Sequence, residues 1–179
     1  KSCDNIFRNN VFYESQGALV CRHGHRNIVE SNAFIGNGKQ NTAGVRIINQ
    51  GHRIYNNFFQ DLVGEGSYSA LCVMTAIFES PDESINIDHE PLNAYHAVKD
   101  VEICHNTFIN CQNIDLGTNT VYNYSKNNPI FPEKKIYGTI PPNCLIANNI
   151  IYSSSRNNVL NLINGNVDDV KFANNVYKL

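Results

Sequence analysis

Short runs in which apolar and polar residues alternate recur along this chain: IFRNNVF at 6–12, IVESNAF at 28–34, IYNNFF at 54–59, ICHNTF at 103–108, IANNII at 146–151 and FANNVY at 172–177. Alternation is the period of a strand with one buried face. Gly, Asn, Ser and Asp bound the runs, so the pattern predicts short strands joined by tight turns. Each run carries an asparagine in the same place, Asn10, Asn32, Asn57, Asn106, Asn149 and Asn175, at steps of 22, 25, 49, 43 and 26 residues. A strand that returns every 22 to 26 residues comes back too soon for a strand-helix-strand crossover of about 30 residues. It fits the coils of a solenoid whose equivalent strands stack in parallel. The predicted fold class is therefore all-β, a right-handed parallel β-helix in which the matching asparagines stack into a hydrogen-bonding ladder at the turns.

At about 23 residues per coil the chain makes seven to eight coils, a cylinder about 35 Å long. Residues 60–98 and 113–143 lack the phrase and contain SPDES, HEPLN, NPIFPEKK and IPPN; they read as coils with long loops projecting from one face. Residues 1–179 form one domain on this reading. Natural β-helix ends are capped, and no cap precedes the first phrase, so the expectation is the C-terminal part of a longer β-helix with its N-terminal coils and cap missing.

Composition agrees with a solenoid rich in uncharged polar groups: 42% hydrophobic, 17% charged and 29 Asn among 179 residues. Asparagine disfavours helix and strand interiors, which directs it to turns and ladders. No apolar run reaches the roughly 20 residues of a membrane span. The six cysteines show no CxxC and no zinc-type spacing, and several sit in apolar runs, so they read mostly as buried free thiols.

Charge changes the picture more. Residues 1–53 carry a formal +4 and residues 54–179 a formal −6, and the basic end favours a polyanion. Within it Lys1, Arg22 and Arg46 are 21 and 24 residues apart, about one coil each. That spacing would stack three cations on neighbouring rungs, where they repel unless an anion lies between them; in strict register His23, not Arg22, stacks on Lys1. His23 and His25 lie just after Arg22 and His52 follows one coil later, open either to polar contacts with substrate or backbone or to a metal. His89, His96 and His105 read as structural or surface groups, and the acidic run Asp82-Glu83 and Asp88-His89-Glu90 as a solvated loop. HExxH, GxSxG and calcium-loop motifs are absent, which removes zincins, α/β-hydrolases and EF-hands.

Lys1-Ser2, RHGHRNIVESNAFIGNG from Arg22 to Gly38 and GVRIINQGHRIYNNFF from Gly44 to Phe59 together resemble the core of polysaccharide lyase family 6, the alginate lyases and chondroitinase B. The likeness continues more loosely through PLNAYHAVKDVEICHNTFINC and CLIANNIIY. It implies β-elimination at the bond before a uronate, leaving a C4–C5 double bond, with Lys1 as Brønsted base and Arg22 as general acid. His23 and Arg46 fall on substrate-contacting positions, with His25 and Arg53 beside them as further substrate-binding candidates. It also implies calcium (Ca²⁺) to neutralise the uronate carboxylate, with ligands upstream of this chain and none within it, so the isolated chain is expected to be inactive or very weak. Alginate is the implied partner, in the periplasm or outside the cell. Dermatan sulfate as substrate, a non-catalytic β-helical polyanion-binding module and a pectin-type hydrolase are the competing readings.

Overall fold

The computed structural model describes residues 2–78, 96–118, 138–155, 159–163 and 169–178. Three parallel sheets run along one axis; among the described residues five coils contribute one strand to each and a sixth contributes to two of them. The first sheet stacks β1 (Ile6–Arg8), β4 (Ile28–Glu30), β7 (Arg53–Tyr55), β11 (Val101–Cys104), β15 (Cys144–Ala147) and β18 (Val170–Ala173) in that order. The second stacks β2 (Val11–Tyr13), β5 (Ala33–Ile35), β8 (Phe58–Gln60), β12 (Thr107–Ile109), β16 (Ile150–Tyr152) and β19 (Val176–Lys178). The third stacks β3 (Leu19–Cys21), β6 (Val45–Ile47), β9 (Leu71–Met74), β13 (Ile114–Thr118) and β17 (Leu160–Leu162). This is the parallel β-helix that the repeat predicts.

The coil count is smaller than seven to eight. The first and second sheets have six rungs, spanning about 24 Å at ordinary strand spacing. β7 pairs directly with β11 and β11 with β15, so the steps of 49 and 43 residues are single rungs with long insertions rather than double coils. Dividing length by period counted those insertions as coils. Both leave the third sheet on the way to the first, and β10 (Ala76–Phe78) pairs antiparallel with β14 (Gly138–Ile140) at their base. Residues 79–95 and 119–137, including the acidic run and His89, lie outside the described residues.

The asparagine ladder forms as predicted. In the two-residue corner between the first and second sheets, Asn10, Asn32, Asn57, Asn106 and Asn149 each donate Nδ2–H to Oδ1 of the next, ending at Asn175, at 2.9–3.1 Å. The backbone N–H of each donates to the same Oδ1. The residue before each ladder asparagine, Asn9, Ser31, Asn56, His105, Asn148 and Asn174, has φ between 52° and 59°; four of the six are asparagine, which tolerates the left-handed region. Asparagine thus both turns the corner and fills the ladder.

Inside, the apolar residue of each alternating strand stacks on its counterpart one rung away. Phe12, Phe34, Phe59 and Phe108 form a column with ring centroids 4.5–4.8 Å apart and planes within 9° of parallel. Val29, Ile54, Ile103 and Ile146 line the core from the first sheet, and Val45, Leu71 and Ile114 from the third.

All six cysteines are free thiols. Cys21, Cys72, Cys111 and Cys144 are buried, and desolvation pushes each thiol up to about 12, whereas Cys3 and Cys104 are half-buried. A thiol-reactive chromophore is therefore expected to label Cys3 and Cys104 in the native protein and the other four only on unfolding. Rapid native labelling of more than two cysteines would contradict this packing.

Candidate active site

The turn that follows β3, residues 22–27, carries Arg22, His23 and His25 from the third sheet to the first. Its register on the preceding coil is 22 residues throughout: Cys3 Sγ lies 3.4 Å from His25 Nδ1, Asp4 accepts two hydrogen bonds from the Arg26 guanidinium at 2.8 Å, and Asn5 N–H and Nδ2–H both donate to Asn27 Oδ1. Gly24 is required here, because a Cβ would stand 1.8 Å from the Ser2 carbonyl oxygen. Lys1 itself lies outside the described residues.

Arg46 does not stack directly on Arg22. It sits mid-strand in β6, paired with Val20 on one side and Cys72 on the other, while Cys21 pairs with Ile47. Arg22 is thus level with Ile48, whose N–H bonds the Cys21 carbonyl at 3.0 Å. Arg46 is offset from Arg22 by two residues rather than one, because the next turn, 48–52, is a residue shorter. Arg46 is half-buried between the buried Val45 and Ile47, on the outward side of the third sheet, and Arg22 is exposed one residue beyond β3. The Nε of Arg46 is buried and hydrogen-bonds no described residue. Cys72 and Asp115 continue its row on successive rungs, and Asp115, also buried, accepts from Gly66 N–H and Asn161 Nδ2–H at 2.8 Å.

Four of the other basic side chains at this end are engaged with carboxylates. Arg8 pairs with Glu30, Arg26 with Asp4 at 2.8 Å, Lys39 with Glu14 at 2.9 Å and Arg53 with Glu102 at 3.3 Å. Arg53 belongs to β7 in the first sheet, so the structure does not bring it into the row of Arg46.

His52 was open to a substrate, backbone or metal role, and its surroundings assign it to the backbone. It is fully buried; Nδ1 accepts the Asn27 N–H at 3.1 Å and Nε2 lies 2.9 Å from the Ile48 carbonyl oxygen. Burial holds its ionisation below the ordinary histidine value. Among the described residues no group of three or more His, Cys, Asp or Glu side chains could hold a metal ion.

The model of the chondroitinase B family matches residues 1–179. The chain belongs to this family, polysaccharide lyase family 6. Among solved structures it is similar to the alginate lyase AlyGC of that family, with 30% identity and a TM-score of 0.77 over 98% of this chain and 21% of that one. It is also similar to a mannuronic acid specific family 6 lyase from human gut microbiota, with 34% identity and a TM-score of 0.68 over 96% of this chain and 33% of that one. An alginate lyase of the family in complex with a trisaccharide shares the fold, at 22% identity and a TM-score of 0.68 over 98% of this chain and 37% of that one. No curated protein matches. The chain spans about a fifth to two fifths of the length of these structures.

The sequence reading missed the row partners of Arg46 and the paired state of Arg53. Connections from the third sheet to the first take six residues at 22–27, five at 48–52 and twenty-six at 75–100, so counting back from the ladder asparagines fails to align the third sheet.

Proposed function

We propose that the protein containing this chain cleaves alginate by β-elimination, giving 4,5-unsaturated uronate ends. The observation that carries this reading is Arg46 in β6, its Nε buried and hydrogen-bonded to no described residue, on the strand paired with the one that leads into the Arg22 turn, in a chain of a lyase family. A uronate carboxylate is the planar anion that such a guanidinium binds through paired hydrogen bonds.

In this mechanism Arg46 and His23 orient the uronate beside the turn. Lys1 takes the C5 proton, as a lysine can where positive charge nearby lowers the cost of its neutral form. The electron pair from C5 forms the C4–C5 double bond as the C4–O bond breaks, and Arg22 donates hydrogen bonds to the departing oxygen, with the proton relayed from water because a guanidinium rarely releases its own. Calcium, if held outside the described residues, would supply further neutralisation of the carboxylate; chelator sensitivity of the intact protein tests that expectation.

Alginate is favoured over dermatan sulfate because the similar structures at 30% identity or more are named as an alginate lyase and a mannuronic acid specific lyase. The deciding experiment records ultraviolet absorbance of newly formed unsaturated uronate on alginate blocks and on dermatan sulfate. A rise on alginate supports the proposal and a rise on dermatan sulfate alone moves the substrate. No rise on either polymer, from a folded protein that still binds polyanion, leaves the binding module standing.

A further inference from the structure

A second, shorter ladder runs through the corner that holds the Arg22 turn. Asn5 donates from N and Nδ2 to Asn27 Oδ1 at 3.1 and 2.8 Å, and Asn27 donates its N–H not to another asparagine but to His52 Nδ1. The imidazole reaches further than an amide, and its far nitrogen meets the carbonyl of Ile48. Ile48 in turn bonds through its N–H to the carbonyl of Cys21, the residue before Arg22. One side chain therefore touches the end of the 22–27 turn directly and its beginning through a single intervening residue. Arg26, at φ 55°, is fixed to the same rung by its N–H on the Gln50 carbonyl at 3.1 Å.

We propose that His52 is a positioning residue that clasps both ends of the 22–27 turn and so sets where Arg22 and His23 stand. Its consequence for turnover rests on the lyase reading above; the clasp itself does not.

The partners fix the tautomer. Nδ1 faces an N–H donor and must carry the lone pair, so Nε2 carries the proton toward the Ile48 carbonyl. A second proton on Nδ1 would confront the Asn27 N–H and release it. The groups that face the ring are the backbone of Asn27, Ile48 and Gly24 and the side chain of His25, whose charge also opposes protonation. The clasp is therefore complete above the ordinary histidine value of about 6.5 and is lost as pH falls through the lowered native value. An acidic limb of activity is expected from loosening of the turn.

The test uses the protein containing this chain, as wild type, His52→Leu and His52→Asn, read by imidazole nitrogen NMR, amide hydrogen exchange, and kcat and KM on alginate across pH. The expected wild-type tautomer is Nε2–H. His52→Leu should speed exchange of the Asn27 amide by about tenfold, the equivalent of one lost hydrogen bond, and lower kcat more than it raises KM. His52→Asn restores an acceptor for Asn27, so it should recover protection while removing the His52 part of the acidic limb. An Nδ1–H tautomer, unchanged Asn27 exchange in folded His52→Leu, or an unaltered acidic limb in His52→Asn overturns the proposal. If His52→Leu does not fold, the wild-type tautomer and His52→Asn decide. A wild-type protein that cleaves no uronate sinks the lyase reading, while tautomer and exchange still decide the clasp.

Discussion

Replacing Arg22 with alanine is expected to lower uronate cleavage by the intact protein about 10²- to 10⁴-fold, the range for removing a positioned proton donor or oxyanion partner. The fold should survive, because Arg22 is exposed and lies one residue beyond β3; thermal unfolding of the variant should match wild type within a few degrees. Arg53→Ala is the matched control. Arg53 is also an exposed arginine of the basic end, but it belongs to β7 and pairs with Glu102 at the surface, an interaction worth about 0–1 kcal/mol. Its removal should leave turnover close to wild type. Both variants are compared by the rate of unsaturated uronate formation at saturating and limiting polymer, which separates kcat from KM. Wild-type turnover in Arg22→Ala would sink the assignment of Arg22. Equal losses in the two variants would show a diffuse electrostatic effect rather than a site.

The largest expected effect on stability comes from the middle of the asparagine ladder. Asn57 is buried, and its Oδ1 accepts from both Asn32 N–H and Asn32 Nδ2–H at 3.0 Å. Its Nδ2 donates to the Val29 and Tyr55 carbonyls and to Asn106 Oδ1 at 2.8–3.0 Å. Asn57→Ala strands the Asn32 N–H and the Val29 carbonyl in the core with no water to replace the partner. Such orphaned groups cost about 1–3 kcal/mol each, so a loss of about 3–5 kcal/mol is expected, at the upper end of single substitutions. Denaturant unfolding measures it. Asn10→Ala, at the first rung, where the residue is exposed, should lose much less. Equal losses at the two positions would show that burial does not govern the ladder.

The repeat made the first and second sheets legible because their shared corner has a fixed length of two residues, 31–32 and 56–57 among them, so that the phrase IVESNAF contains both strands and the turn. The ladder and the phenylalanine column follow from that register. The third sheet was not legible, because the connections from it to the first sheet vary in length, and Arg46 was aligned by counting from an asparagine on the far side of such a connection. Arg22, His23 and His25 lie within four residues of one another, and the 22-residue register that seats their turn on the preceding coil extends the Ile6–Ile28 pairing. The backbone role of His52 was hidden, since a sequence cannot show that both ring nitrogens are already occupied.

The two kinds of corner also differ in what a lineage can change. Passage from the third sheet to the first takes 22–27 on one rung, 75–100 on another and 119–143 on a third, yet the strands on either side keep their pairing. Closing a longer loop adds little entropy cost, so this corner accepts insertions, and it is the corner on which Arg22 stands. How far the protein reaches around a polymer chain can be altered there without re-registering a strand. The asparagine corner offers no such freedom, for one residue added beside Asn57 would turn every side chain of β8 to the opposite face.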